Sequence, residues 1–183
     1  MSKSQNGYPV LTQDQTFKWI LPLRDEPKRH LVLKPGDVGF VLAYFAVWYH
    51  ERIQKINQGI WDEWGWASRP IRGSTSISNH ASGTAIDLNA TKHPLGVRGT
   101  LKFWLKKGTR QELAEERIRR HLDKTFDNTI RAGLNYTGRA DEMHYEADEP
   151  YPAFFQLAKK LRKTRRGKRI LKANPGYRPG IPR

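Results

Sequence analysis

The chain has 183 residues, with 33 Lys and Arg against 18 Asp and Glu and no cysteine. That length suits one compact domain. A 37% hydrophobic content that includes 6 Trp excludes disorder throughout, and the lack of thiols excludes disulfides, Cys-ligated zinc and cysteine catalysis. The net charge of +15 is uneven, because residues 159–183 hold 11 basic and no acidic side chains and leave the first 158 with only +4. Such a segment attracts polyanions, whether nucleic acid or the anionic polymers of a bacterial envelope. Residues 1–15 are polar and lack the apolar centre of a secretory signal. The longest apolar-rich run, 38–49, is too short for a bilayer, so the expectation is a monomer made soluble in a cytoplasm.

Lys34-Pro35-Gly36-Asp37 reads as a turn ending in an N-cap. Val38, Val41, Leu42, Phe45, Trp48, Tyr49, Ile53 and Ile56 then recur at steps of three or four, predicting a core-facing helix closed by Asn57-Gln58-Gly59. Residues 69–79 are rich in Gly, Ser, Pro and Thr and read as a loop. Residues 84–89 alternate between apolar and polar, the period of a half-buried strand. After the loop Lys92-His93-Pro94-Leu95-Gly96, Thr109 can cap a second helix with Leu113, Ile118, Leu122, Phe126 and Ile130 on its apolar face. Residues 143–146 read as a short strand and 151–161 as a third helix. The last ten residues, with Pro175, Pro179 and Pro182, cannot continue a helix. The order predicts an α+β fold, in which a small antiparallel sheet is packed against helices. The domain is expected over 1–158, followed by a basic, partly flexible C-terminal tail over 159–183.

Chemistry concentrates in Ser78-Asn79-His80-Ala81-Ser82-Gly83-Thr84-Ala85-Ile86-Asp87. On one continuous helix or strand His80 and Asp87 could not meet, but a tight reversal at Gly83 would fold His80 back over the strand that presents Asp87. A second cluster, Asp141-Glu142-Met143-His144-Tyr145-Glu146, supplies another imidazole flanked by carboxylates. Together His80, Asp87 and His144 make a three-donor set with room for water, as in catalytic zinc sites, and one nearby carboxylate is left over as a general base. Strand periodicity puts Glu142 and Glu146, not Asp141, on the face of His144. His30, His50 and His121 read as ordinary surface or helical histidines, and Asp62 and Glu63 as solvated.

The pattern Ser78-x-His80-x-x-Gly83-x-Ala85-x-Asp87 with Asp141-x-x-His144-Tyr145-Glu146 resembles the two zinc-binding motifs of the VanX/VanY-type D-alanyl metallopeptidases. The wider wording, including Arg69-Pro70-Ile71-Arg72-Gly73-Ser74 and His93-Pro94-Leu95-Gly96, is similar to the peptidase modules of lysins from phages of actinobacteria. The resemblance implies Zn2+ bound by His80, Asp87 and His144, and Asp141 as the catalytic base, three before the second His. It also implies Arg69, with Arg72 as runner-up, as the guanidinium that binds substrate and stabilises developing charge, and Ser78 as a donor to substrate. Where such lysins commonly have an aromatic, two glycines and an acid before the second motif, this chain reads Ala132-Gly133-Leu134-Asn135-Tyr136. Bond specificity is therefore open.

The function expected from the resemblance is a zinc endolysin that cuts the stem peptide of peptidoglycan, as an L-alanyl-D-glutamate endopeptidase or else a D-alanyl-D-alanine carboxypeptidase. It would reach the wall without a signal of its own and hold anionic envelope polymers through the basic tail. A competing class is a basic nucleic-acid- or envelope-binding protein without catalysis, which pI 10.2 favours. The first 158 residues show no nucleic-acid-binding motif, so no specific nucleic acid is expected.

Overall fold

The computed structural model describes residues 2–71, 75–107 and 110–180. An antiparallel hairpin, β1 (Phe17–Leu21) and β2 (Arg29–Leu33), opens the domain with Trp19 opposite Leu31. Its inward positions Trp19, Leu21, Leu31 and Leu33 are fully buried. Next comes α1 (Asp37–Arg52), of whose 16 residues 14 are buried. A helix that is apolar all round belongs at the centre of a core. A Cβ on Gly39 would lie 2.0 Å from the Lys34 carbonyl oxygen and 2.4 Å from Trp19 Nε1, so glycine is what lets the hairpin's end lie against α1. The N-cap is Gly36 rather than Asp37, and the helix stops a turn before Ile56 because Nδ1 of buried His50 accepts from the Ile56 amide at 3.3 Å.

The site-bearing sheet has the order β3-β7-β6, all antiparallel: β3 (Ala85–Asp87) and β6 (Ile130–Ala132) flank β7 (His144–Ala147). β3 and β7 are buried on both faces, not half-buried. A second hairpin, β4 (Trp104–Lys107) with β5 (Arg110–Leu113), leads into α2 (Ala114–Phe126). The second helix thus starts at Ala114, with the Leu113 amide held by Glu116 Oε2 at 3.3 Å. Thr109, expected as its cap, lies outside the described residues. Ile130 goes to β6, because Asp127 and Asn128 turn the chain through positive φ.

The C-terminal segment differs most from expectation. α3 (Tyr151–Leu161) crosses the boundary expected at 158, and α4 (Arg165–Ala173) follows it. α4 buries Gly167 and Ile170, and it packs on α1 and β1. Asn174 donates to the Ile20 carbonyl at 2.9 Å and accepts from the Ile20 amide at 2.8 Å, which closes the outer edge of the first hairpin. Tyr177 then stacks on Phe40 at 5.5 Å. Buried Asp37 is the anchor, accepting from Tyr151 Oη (2.9 Å), Arg162 Nη1 (2.9 Å), Tyr177 Oη (2.5 Å) and the Gly180 amide (3.0 Å). The basic segment is therefore docked structure as far as residue 180, with cations on its outer face. Among the described residues no helix is long and apolar enough to cross a membrane.

Candidate metal centre

The reversal that brings the first motif together is a 3-10 turn over Asn79–Ser82. Ser78 Oγ caps it by accepting from the His80 amide at 3.3 Å, and Gly83 ends it in the left-handed region at φ 65. A Cβ on Gly83 would stand 2.4 Å from the Lys34 backbone nitrogen, whose amide donates to the Gly83 carbonyl at 2.8 Å. Any side chain there would both strain the turn and push it off β2. His80 is thereby carried over the adjoining strand pair, where Asp87 and His144 face each other as direct cross-strand partners.

One ligand atom from each of His80, Asp87 and His144 lies within 4.8 Å of the others, and all three residues are buried. His80 Nε2 is 3.3 Å from both Asp87 Oδ2 and His144 Nδ1, and His144 Nδ1 is 2.9 Å from Asp87 Oδ1. The outward nitrogens are already committed. His80 Nδ1 donates to the Gly65 carbonyl at 2.6 Å, and His144 Nε2 donates to Glu146 Oε2 at 3.0 Å. Those bonds orient each ring and turn His80 Nε2 and His144 Nδ1 toward Asp87, where a bound metal ion would displace any proton they carry. Two imidazoles and one carboxylate so arranged could hold a metal ion, and this donor set fits zinc.

Glu146 is saturated: besides His144, it accepts from Asn79 Nδ2 (2.5 Å), Arg131 Nε (2.8 Å) and Tyr136 Oη (2.8 Å). Tyr136 belongs to the stretch in which the sequence departs from lysin wording, and here it braces the carboxylate behind a metal-site histidine. Burial alone would lower the His144 pKa, but hydrogen bonds to Asp87 and Glu146 raise it to about 10. Burial alone would raise that of Asp87, yet the neighbouring charges and hydrogen bonds of His80 and His144 hold it far below the usual carboxylate range.

The two adjacent acids of the second motif part company. Glu142 is buried and accepts from the Gly99 amide (2.6 Å), Thr100 Oγ1 (2.5 Å) and the Leu101 amide (3.0 Å). Burial would raise its pKa, but these donors lower it. It pins the 99–101 loop. β7 starts only at His144, whose amide donates to the Asp141 carbonyl at 3.1 Å, so a turn precedes the strand and frees Asp141 from its alternation, near enough to His144, Asp87 and His80 for their charges to act on it. Asp141 keeps one buried oxygen with no hydrogen-bond partner. Burial raises its pKa, with His144 opposing and Asp87 reinforcing.

Arg69 is exposed at the mouth of the loop that returns through Ser78, its carbonyl accepting from the Ser78 amide at 3.3 Å. Arg72 lies outside the described residues. Asp62 and Glu63, expected to be solvated, are both buried. Asp62 accepts from the Thr91 amide at 2.8 Å, and Glu63 pairs with Arg29 at 3.0 Å. His93 is also buried, with Nδ1 against Thr100 Oγ1 and Nε2 against Gln54 Oε1, both at 2.9 Å.

Residues 72–147 match the sequence profile of a family described as D-alanyl-D-alanine carboxypeptidase. The match takes in His80, Asp87, Asp141 and His144 and supports the VanX/VanY-type resemblance and a peptidase. No curated protein and no solved structure matches the chain at a significant level.

Proposed function

We propose that this chain is a zinc-dependent peptidoglycan peptidase, an endolysin that hydrolyses the L-alanyl-D-glutamate amide of the stem peptide. The observation that carries the reading is the convergence of His80, Asp87 and His144 near Asp141, one of whose oxygens is buried without a hydrogen-bond partner. Zinc held by those three residues would acidify water and polarise the scissile carbonyl. Asp141 takes the proton of the attacking water and returns it to the leaving amine. Arg69, exposed on the loop that returns through Ser78, is assigned to the carboxylate or developing oxyanion of the substrate. Ser78 is committed as an acceptor to the His80 amide, and its own proton serves the substrate backbone. Arg72 is the second guanidinium in reach by sequence.

Purified protein is expected to release peptides from cell walls, to stop with EDTA and to recover with zinc. Mass spectrometry of the released muropeptides reads the bond. New N-terminal D-glutamate supports the endopeptidase, loss of terminal D-alanine supports the carboxypeptidase named by the matching family, and no metal-dependent release sinks both. The acting site is the bacterial wall, and the polycationic face of α4 holds anionic envelope polymers there. Lys163, Arg165, Lys168 and Lys172 are exposed. Changing all four to Gln should weaken wall retention at low salt without loss of hydrolysis of a soluble muropeptide. Truncating at residue 159 would instead remove three of the four partners of Asp37.

A further inference from the structure

The edge of the metal-bearing sheet carries an aromatic groove that the chemistry above does not use. Trp64 is the cross-strand partner of Asp87, its amide donating to the Asp87 carbonyl at 3.0 Å and its carbonyl accepting from the Asp87 amide at 2.9 Å. Asp87 is in turn the partner of His144. Residues directly opposite one another on neighbouring strands present their side chains to the same face, so Trp64, Asp87 and His144 form one row across the sheet. The two ligands are buried, whereas Trp64 is 47% exposed. One residue on, the Gly65 carbonyl fixes the His80 ring. The strand that orients a metal ligand is therefore also the wall of the groove.

His30, Trp61, Glu63, Trp64 and Trp66 line it. Trp61 is 45% exposed, yet it is held in place by the Arg29 guanidinium 4.9 Å from its ring centroid and by His30 edge-on at 4.6 Å. Glu63 reaches Arg29 through one oxygen, and its other is buried without a hydrogen-bond partner. Two half-exposed indoles beside a reactive centre, one of them held in place by Arg29 and His30, mark a binding surface. Flat aromatic faces bordered by polar groups fit a pyranose, whose C–H face stacks while its hydroxyl and acetamido groups meet the rim.

Resting on the function proposed above, we propose that this groove is the subsite for the N-acetylmuramic acid ring that carries the stem peptide. The scissile L-alanyl-D-glutamate amide is the second amide from that sugar, so a centre that cuts it has the sugar at its side. The terminal D-alanyl-D-alanine bond lies three residues, roughly 10 Å, farther out, and a centre for that bond has no sugar to meet. The groove thus ties substrate class to bond position.

The test compares kcat/KM on a disaccharide tetrapeptide and on the same peptide without sugar, for wild type, Trp61→Ala and Trp64→Ala. Circular dichroism and zinc content check that each variant is folded and loaded. Each variant should lose about tenfold on the sugar-linked substrate, equal to about 1.4 kcal/mol, and stay within about twofold on the free peptide. Equal loss on both substrates makes the groove a peptide wall and overturns the proposal, as does no loss on either. Should wild type cut neither substrate, the endopeptidase reading fails by itself. The disaccharide titrated against tryptophan fluorescence then decides, since quenching lost in Trp64→Ala upholds the sugar subsite and absence of quenching removes it.

Discussion

Two clusters of buried charge, one at the head of α1 and one on the β3–β7 pair, are built from similar parts with opposite completeness. Asp37 receives four donors from α3 and the C-terminal segment, so its charge is fully answered within the chain. At the sheet, Asp87 faces two imidazoles whose ring nitrogens crowd it, and nearby Asp141 leaves an oxygen unmet. A completed network stabilises and has nothing left to react with. An incomplete one, held rigid by Glu146 and Gly65 from behind, is finished only by something from outside the chain.

The sharpest way to break the contrast is to remove a donor from the incomplete cluster. His144→Ala should abolish stoichiometric zinc, read by elemental analysis, and reduce wall hydrolysis to background, while circular dichroism stays native. If the variant still binds one zinc per chain, the ligand set is wrong. Next in size, Asp141→Asn should lower kcat by about 10²–10⁴-fold with zinc content unchanged. Glu142→Gln, which removes charge from a saturated carboxylate, should cost far less activity. A larger loss in Glu142→Gln than in Asp141→Asn would reverse the assignment of the base.

The same operation on the completed cluster should act on stability. Asp37→Ala strands the Arg162 guanidinium and three further donors, and breaking a buried pair in this way costs about 3–5 kcal/mol. A fall of that order in the urea midpoint is expected, with kcat per folded molecule unchanged. Were kcat to fall as well at temperatures where the variant is folded, the two clusters would be coupled rather than separate.

What could be read in advance follows the same division between near and distant partners. His80, Gly83 and Asp87 lie within one short stretch, where residue types alone imply the reversal, and the strands at 85–87 and 144–147 were visible in pattern. The β1–β2 hairpin is not legible in the sequence, since Ile20 and Val32 put apolar side chains on the outer face and blur the alternation of Trp19, Leu21, Leu31 and Leu33. α4 was hidden by its own charge, because its Lys and Arg mask the spacing of Gly167 and Ile170 against the core. Asp62 and Glu63 looked solvated because their partners Thr91 and Arg29 are remote in sequence. The place of Trp64 beside Asp87, and of Arg131 and Tyr136 behind His144, depends on strand pairing, which no local pattern records. Strand periodicity favours Glu142 over Asp141, and the base that the resemblance implies comes near the ligands only because β7 begins no earlier than His144.

The smallest expected effect contrasts two histidines. His144 has carboxylates on both ring nitrogens, whereas His121 stacks on Trp48 at 3.8 Å, bonds Thr125 and, among the described residues, leaves Nε2 buried without a partner. Burial lowers the His121 pKa to about 4, with the charges of Arg166 and Arg120 adding to the shift. A folded-state pKa depressed below the ordinary 6.5 means that the neutral ring contributes stability above pH 6.5, and that this is lost as the pH falls toward 4. His121→Phe keeps the ring on Trp48 and removes the titration. Its stability, measured by urea unfolding of the metal-free protein, should depend less steeply on pH between 6.5 and 4. At the acid end it should gain about 1–2 kcal/mol on wild type. Parallel curves across that window would mean that His121 carries its proton in the folded chain as readily as in the unfolded one, and the contrast with His144 would then vanish.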